Sequence, residues 1–375
     1  MDAQKADVII IGAGIAGLAM AYAAAQKGKK VFVFEKTGWA QGASIRNFGM
    51  IWPAGQPTGV MRETALQSRA IWVDLAKKAN FWLHENGSLH LAYDALEMQV
   101  MEEFISKEAN ENFSLLSPAE VLLKSDAVKP AGLKGALWSP SECLVDPREA
   151  IQKITAYLSA TFDVRFFFDT SITNVIPGLV YGFDKEWEAE QIFICSGQEI
   201  ETLYPETFNQ IPLTKCKLQM LRTEPQPGDR RIGPSLCGGL TLRHYAAFTN
   251  CPSLPALSEK FDLAEPRFRE WGIHVLVAQN GAGEIIIGDS HEYGRTLPPF
   301  DNEAIYALIL KYLDRFFQWT DFKIGERWHG VYSKMTDGSS YFFEETEPSV
   351  FIFNGLGGAG MTLSFGLADA LYSRL

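Results

Sequence analysis

The sequence predicts an α/β fold in which a discontinuous parallel-sheet domain carries an inserted second domain built on an antiparallel sheet. Three observations predict it. Near the start, an apolar run at 7–11, three closely spaced glycines, a small-residue helical stretch and a second apolar run at 31–34 read as one right-handed βαβ unit. In 214–249 and again in 274–289, polar and apolar residues alternate with glycine breaks, the texture of antiparallel strands. Near the other end, 350–353 read as a buried strand that leads into a glycine-rich turn at 354–360 and a terminal helix at 361–375.

The bulk composition agrees. At 375 residues the chain exceeds what one hydrophobic core usually organises, so two intimately packed domains are expected, and a 47% hydrophobic content can fill both. Lys and Arg total 34 against 45 Asp and Glu, a net charge of −11, which argues against general binding to nucleic-acid phosphates or an anionic membrane surface. A local basic pocket is still compatible with it. The five cysteines, Cys143, Cys195, Cys216, Cys237 and Cys251, are scattered and form no CxxC pair, so no zinc site is expected and a reducing, cytoplasmic setting fits best. The apolar run at 8–25 has the length of a signal peptide or membrane span, but glycines and Tyr22 interrupt it and only Lys5 precedes it as a positive charge. No membrane span is expected elsewhere.

Taken in order, Asp7-Val8-Ile9-Ile10-Ile11 is a strand, Gly12 to Gly17 a turn, the following Ala-rich stretch a helix ending near Gly28, and Val31-Phe32-Val33-Phe34 a second strand. Residues 62–78 and 97–110 have helical apolar spacing, while 114–131, with its two prolines, reads as looser. Asp146-Pro147-Arg148 opens a helix, because proline suits a first helical turn. The stretch 164–168 is a strand, and 191–195 is a buried strand running into Ser196 and Gly197. Segments 224–234 and 250–259 read as surface loops, and no internal repeat or low-complexity tract is present. This order assigns 1–80, 145–213 and 325–375 to a nucleotide-binding domain and 81–144 with 214–324 to a substrate-binding domain.

The glycines carry the first functional reading. Gly12 permits the tight turn, Gly14 the close approach of backbone to a pyrophosphate, and Gly17 close helix–strand contact. The helix that begins with Ile15 and Ala16 then presents unpaired N–H groups and a partial positive charge to the phosphates. Glu35, with Lys36 beside it, closes the second strand where a carboxylate can accept ribose hydroxyls and would repel a 2′-phosphate, so FAD or NAD is preferred to NADP.

A resemblance decides between those two. Through 7–35, 42–47, Asp146-Pro147-Arg148, Lys217-Leu218-Gln219-Met220-Leu221, 285–294, 328–338 and 354–362, nearly the whole chain resembles the D-amino-acid oxidase and glycine/sarcosine oxidase family of FAD-dependent oxidoreductases. The resemblance implies a discontinuous Rossmann-like FAD-binding domain with FAD as cofactor. It implies that Gly357, Gly358, Gly360, Met361 and Thr362 offer backbone donors to the flavin pyrimidine, where a helix start would also stabilise the anionic reduced ring. It further implies that Ser44, Arg46 and Asn47 pass beside the pyrophosphate and isoalloxazine, that the backbone at Ile172 holds adenine, and that Ser196 and Gly197 turn near the cofactor. Phe48, Gly49 and Met50 continue the 44–47 block, with Phe48, Met50 and Trp52 readable as flavin-side walls or as core.

Amine oxidation by a flavin asks mainly for geometry and for an anchor on the rest of the substrate. In amino-acid-oxidising relatives that anchor is an arginine in a Trp-x-Gly-x-Arg-Pro stretch. Here the stretch is Trp328-His329-Gly330-Val331-Tyr332-Ser333-Lys334, with Tyr332 at the arginine position. Arg243-His244-Tyr245, expected in an antiparallel strand with Arg243 and Tyr245 on one face, and the pair Lys334 and His329 are the candidate anion holders. The block Ser44-Ile45-Arg46-Asn47-Phe48-Gly49-Met50-Ile51-Trp52-Pro53 with Gly55-Gln56-Pro57 resembles a subgroup of the family linked with phosphonate breakdown. That resemblance implies oxidation of an anionic amine, a hydroxylated or N-methylated 2-aminoethylphosphonate, whose double charge suits an Arg/His/Tyr/Lys cradle. Electrons would pass on to O2, with Lys334 assisting, or to another acceptor. The alternatives are a glycine/sarcosine/D-amino-acid-type oxidase and a flavoprotein subunit without small-amine activity. His84 and His90 read as surface or locally hydrogen-bonded residues, His274 as a strand residue and His291 as a loop residue, and no His/Asp/Glu set has metal spacing.

Overall fold

The computed structural model describes residues 4–108, 112–228, 230–318 and 323–375. Its centre is an eight-stranded sheet with five parallel strands, in the order Val350–Asn354, Glu186–Ile194, Gln4–Ile11, Val31–Phe34 and Arg165–Phe167. The middle strands are continuous Val, Ile and Phe runs because helices or loops cover both faces. The helix Ile15–Gln26 is buried nearly all round, and Val60–Ala79, Pro147–Phe162 and Gly360–Tyr372 pack beside it in one core. Where Gly360–Tyr372 crosses Val60–Ala79, a Cβ on Gly366 would stand 2.3 Å from the Thr64 carbonyl oxygen, so only glycine allows that approach.

A second sheet has nine strands and is antiparallel apart from the parallel pairing of Ser235–Cys237 with Ser88–Ala92. Its hub is Leu213–Thr223, paired along its length with Ile324–Met335 and on its other side with Glu292–Gly294 and Ile285–Gly288. Leu276–Gln279 continues the sheet from Ile285–Gly288, and the helices Ala95–Lys107, Leu254–Ala264 and Glu303–Leu313 pack on it. A small third sheet joins Met50–Ile51, Cys143–Val145 and Leu83–His84. No helix among the described residues is long and apolar enough to cross a membrane, and all five cysteines are free and buried.

Several local expectations need correction. The stretch 114–131 is not loose: Ser114–Leu116 is a strand and Pro118–Lys124 a helix, opened by a capping box of Ser117 and Glu120 with Pro118 in the first turn. The 250–259 loop contains the start of the helix Leu254–Ala264. Within 214–249, Gly239–Arg243 and Ala246–Phe248 are short 3₁₀ turns rather than strands. The helix expected over 97–110 is Ala95–Lys107, capped by Asp94 and Glu97, and positions 109 and 110 lie outside the described residues.

Candidate active site

One cavity of about 520 Å³ is lined by residues from both large sheets. At one end is the glycine turn. Gly12 has φ +107°, and a Cβ there would stand 2.4 Å from the Cys195 carbonyl oxygen; a Cβ on Gly17 would stand 1.9 Å from the Gly12 oxygen. Neither position admits a side chain. Gly14 faces the cavity with extended backbone and caps the helix Ile15–Gln26, whose first N–H, on Ile15, donates to Ser44 Oγ at 2.8 Å. The Glu35 carboxylate accepts from the Ala13 N–H at 3.1 Å and from the Thr37 N–H and hydroxyl at 3.1 and 2.8 Å. Lys36 also lines the cavity and pairs with Glu199 at 2.9 Å.

The segment after the second strand is tied by Asn47. Its amide donates to the Ala43 and Ser44 carbonyls at 2.9 and 3.0 Å, and its oxygen accepts from the Gly49 N–H at 2.7 Å. This knot sets Arg46 and Phe48 on the cavity wall, with Met50 following, and Arg46 donates to the His329 carbonyl at 3.4 Å. Across the cavity, Gly357, Gly358, Gly360, Met361 and Thr362 line the wall, and Thr362 Oγ1 accepts from the Trp52 N–H at 2.9 Å. Ile15, Ala16, Ser196 and Gly197 also line it. Phe48, Met50 and Trp52 are wall and core at once, packed with Leu218, Met220 and Leu276. Three cofactor-side residues stand off the cavity: Gly17 serves the helix–strand contact, a Cβ on Gly49 would stand 1.9 Å from the Val145 oxygen, and Ile172 is buried in an apolar cluster with Phe34 and Trp187.

At the other end, His244, Tyr245, Tyr332 and Lys334 line the cavity and Arg243 does not. Because 239–243 is a 3₁₀ turn, strand alternation does not apply, and the Arg243 guanidinium turns away to Asp262 at 2.8 Å. His329 is likewise off the cavity, its Nδ1 2.7 Å from Asp301. Tyr332 lies opposite Cys216 in the sheet, and burial pushes its phenol and that of Tyr245 well above their ordinary value, so both stay hydrogen-bond donors at neutral pH. Lys334 Nζ is 3.5 Å from the Tyr293 hydroxyl.

Three more residues, unassigned by sequence reasoning, face this end: His274, Asp289 and His291. The segment between His274 and Asp289 folds back as a hairpin, with Leu276 opposite Gly288, and the main chains of His274 and Asp289 exchange hydrogen bonds of 2.7 and 3.3 Å. His274 Nε2 then lies 2.8 Å from Asp289 Oδ1. His244 stacks on His274 with ring centroids 3.8 Å apart and planes 17° from parallel, and His291 lies 4.6 Å from His244 and 5.1 Å from His274. The ring nitrogens of the three come within 4.8 Å of one another, a cluster that sequence spacing did not disclose. Imidazole lone pairs lie in the ring plane, so near-parallel rings direct them side by side rather than toward a shared ion. Burial lowers the pKa of His291 to about 4 and that of His244 well below its ordinary value, with the neighbouring imidazoles adding to the effect on His244. His90 is not a surface residue: it is fully buried behind Trp52 and Tyr245, and neither ring nitrogen has a hydrogen-bond partner among the described residues.

A side-chain-free glycine turn at a helix start, a carboxylate at the end of the next strand and a long cavity beyond them fit a dinucleotide. Fold and site together define a dinucleotide-dependent oxidoreductase. The chain belongs to the family described as FAD dependent oxidoreductase (DAO), whose model matches residues 7–374, and FAD is its cofactor.

Among curated proteins, it is 29% identical over 142 residues to an aerobic glycerol-3-phosphate dehydrogenase of Staphylococcus saprophyticus, covering 35% of this chain and 26% of that protein. With the enzyme of the same name from Staphylococcus epidermidis it shares 24% identity over 237 residues, 56% of this chain and 42% of that one. The matches thus span less than half the length of these relatives. Among solved structures, glycine oxidase from Geobacillus kaustophilus superposes with a TM-score of 0.79 at 18% identity, covering 99% of this chain and 94% of the other. L-proline dehydrogenase from P. horikoshii gives 0.79 at 18% identity over 100% and 94%. FAD-bound L-alpha-glycerophosphate oxidase from Mycoplasma pneumoniae gives 0.77 at 16% over 99% and 95%.

Proposed function

We propose that this oxidoreductase acts on the carbon–nitrogen bond of a small anionic amine, an aminophosphonate such as a hydroxylated or N-methylated 2-aminoethylphosphonate. The supporting observation is the donor-lined end of the cavity. Lys334, His244, Tyr245 and Tyr332 gather there, with Tyr332 at the position where amino-acid-oxidising relatives carry an arginine. Several single donors spread around a pocket suit a tetrahedral phosphonate better than the flat fork that a carboxylate prefers.

When bound, FAD supplies the acceptor for the hydride that leaves the substrate carbon. In this reading Gly12, Gly14 and the start of the helix Ile15–Gln26 hold the pyrophosphate, Glu35 the ribose, and the 357–362 segment the flavin edge, within the 1–80, 145–213 and 325–375 domain. Phe48, Met50, Trp52, Leu218 and Met220 exclude water from the reacting carbon, and Lys334 with the tyrosines fixes the anion so that the carbon is presented in one pose. The imine hydrolyses to an aldehyde and a free amine, and O2 or another acceptor takes the electrons.

A second reading draws on the curated relatives and the Mycoplasma structure, which are named for glycerol phosphates. The same anion holders would serve a phosphate-bearing alcohol, with a carbon–oxygen bond oxidised instead. Anaerobic bleaching of the yellow holoenzyme separates the two. Bleaching by aminophosphonates but not by glycine, sarcosine or D-amino acids is the expected outcome; bleaching by glycerol 3-phosphate alone moves the assignment to the alcohol, and bleaching by amino acids alone moves it to an amino-acid oxidase. No bleaching by any of them leaves a flavoprotein without small-molecule oxidase activity.

A further inference from the structure

A protonated amine cannot surrender hydride from its adjacent carbon, because the nitrogen lone pair that must close the C=N bond is occupied. Small aliphatic amines are ammonium ions at neutral pH, so some group on the cavity wall has to take a proton first. Most polar groups at the substrate end cannot. Lys334 and Arg46 are cations, and Tyr245 and Tyr332 keep their protons because burial disfavours the phenolate. Asp289 is 5% exposed, and its Oδ1, 2.8 Å from His274 Nε2, makes no hydrogen bond among the described residues. His291 also lines the cavity but is only 5% exposed, with its Nδ1 3.0 Å from the Gly272 carbonyl. Of the three stacked rings, His244 is the one exposed to the cavity.

We propose that His244 takes the ammonium proton of the substrate, and that His274, stacked on it, is a positioning residue that holds its ring in place. This rests on the amine reading above. In the step, an N–H bond of the ammonium breaks and an N–H bond forms on His244. The C–H electron pair then leaves as hydride to the bound cofactor, the nitrogen pair closes the C=N bond, and the imidazolium returns its proton to solvent.

The stack explains why His244 is ready to accept. The carboxylate of Asp289 stands beside the other two rings, its Oδ1 2.8 Å from His274 and 3.8 Å from His291. The face-to-face imidazole of His274, 3.8 Å away, and that of His291 disfavour an added charge on His244. The other groups around His244, namely Tyr245, His291, Lys334 and Arg243, supply no negative charge at neutral pH. Although His244 opens to the cavity, desolvation by the walls around it, with the His274 and His291 imidazoles and the Lys334 and Arg243 cations, holds its pKa well below the ordinary value.

The test is the pH dependence of anaerobic flavin reduction at saturating amine, from about pH 5 to about pH 10, in holoenzyme variants checked first for flavin content. H244Q is expected to be about 100-fold slower at neutral pH and to recover as pH approaches the pKa of the amine itself, since free amine needs no acceptor. H244A is expected to regain rate with added imidazole. H274F, which keeps an aromatic ring in the stack but removes the repelling imidazole, is expected to move the acid limb upward by about one pH unit with an unchanged rate at high pH. A wild-type rate at neutral pH in H244Q overturns the acceptor role. An H274F variant that slows the reaction equally at every pH, without moving the limb, overturns the positioning role. If no amine bleaches the wild-type protein, the amine reading itself fails and takes this proposal with it; that result is read before any variant is made.

Discussion

Gly14 faces the cavity from the glycine turn with little room to spare. A Cβ there would lie 3.0 Å from Ser44 Oγ, and the branches of valine would enter the space beside the helix start. Gly14→Val is therefore expected to purify colourless, and full flavin content in that variant would contradict the site. Arg243 teaches the opposite lesson. With its guanidinium on Asp262 and away from the cavity, Arg243→Ala should leave KM and the rate of flavin reduction near wild type while lowering stability by about 1–3 kcal/mol, checked by denaturant unfolding. The glycines are legible in the sequence because what they supply, freedom from a side chain, is a property of the residue alone. Which way Arg243 points depends on whether 239–243 is a strand or a turn, and one residue type cannot say. His274 and Asp289 lie fifteen positions apart in the chain and meet only through a hairpin; the alternation at 274–289 announced strands, but not which of their residues would face each other.

At the scale of elements, Ser44 does for the helix Ile15–Gln26 what a cap from its own chain neighbour usually does. Gly14, at the capping position, has no side chain to offer, so the Ser44 hydroxyl accepts the Ile15 N–H from thirty residues further on. Ser44→Ala is expected to cost about 1 kcal/mol in the unfolding of the flavin-free protein and to weaken FAD retention, measured by thermal unfolding and flavin titration. A change in flavin affinity with no change in flavin-free stability would show that Ser44 acts on the ligand alone. The helix Pro118–Lys124 shows how an element is misread when one signal outweighs another. Pro118 reads as a breaker by composition, yet at the first helical position it is tolerated, and Ser117 with Glu120 is a capping box written in the sequence. The same holds for Leu254–Ala264, where Pro255 sits in the first turn. The strongly patterned elements, the βαβ unit at the start and the strand and helix at 350–372, are legible because each carries an unbroken or nearly unbroken apolar run and needs no distant partner to specify it.

For the whole molecule, the buried imidazoles make stability depend on pH. His90 in the folded protein has its pKa lowered from 6.5 to about 4 by burial. The unfolded chain therefore binds the extra proton between those two values. Stability is complete above about pH 6.5 and falls as pH drops toward 4, by about 3 kcal/mol for this one group, and His291 acts in the same direction. His90→Phe is expected to flatten the acid side of the stability curve; an unchanged slope would place the titrating group elsewhere. No sequence feature marks His90 as buried, because its strand Ser88–Ala92 becomes covered on both sides only once Ser235–Cys237 and Gly135–Ser139 flank it and helices close over it. One further consequence comes from the helix Gly360–Tyr372 lying against Ile15–Gln26. On the ribosome, the diphosphate cradle at 12–17 emerges long before the opposite wall at 357–362. A nascent chain can thus present half a nest long before it can close one, and the flavin is captured late, when the 357–362 wall reaches the glycine turn.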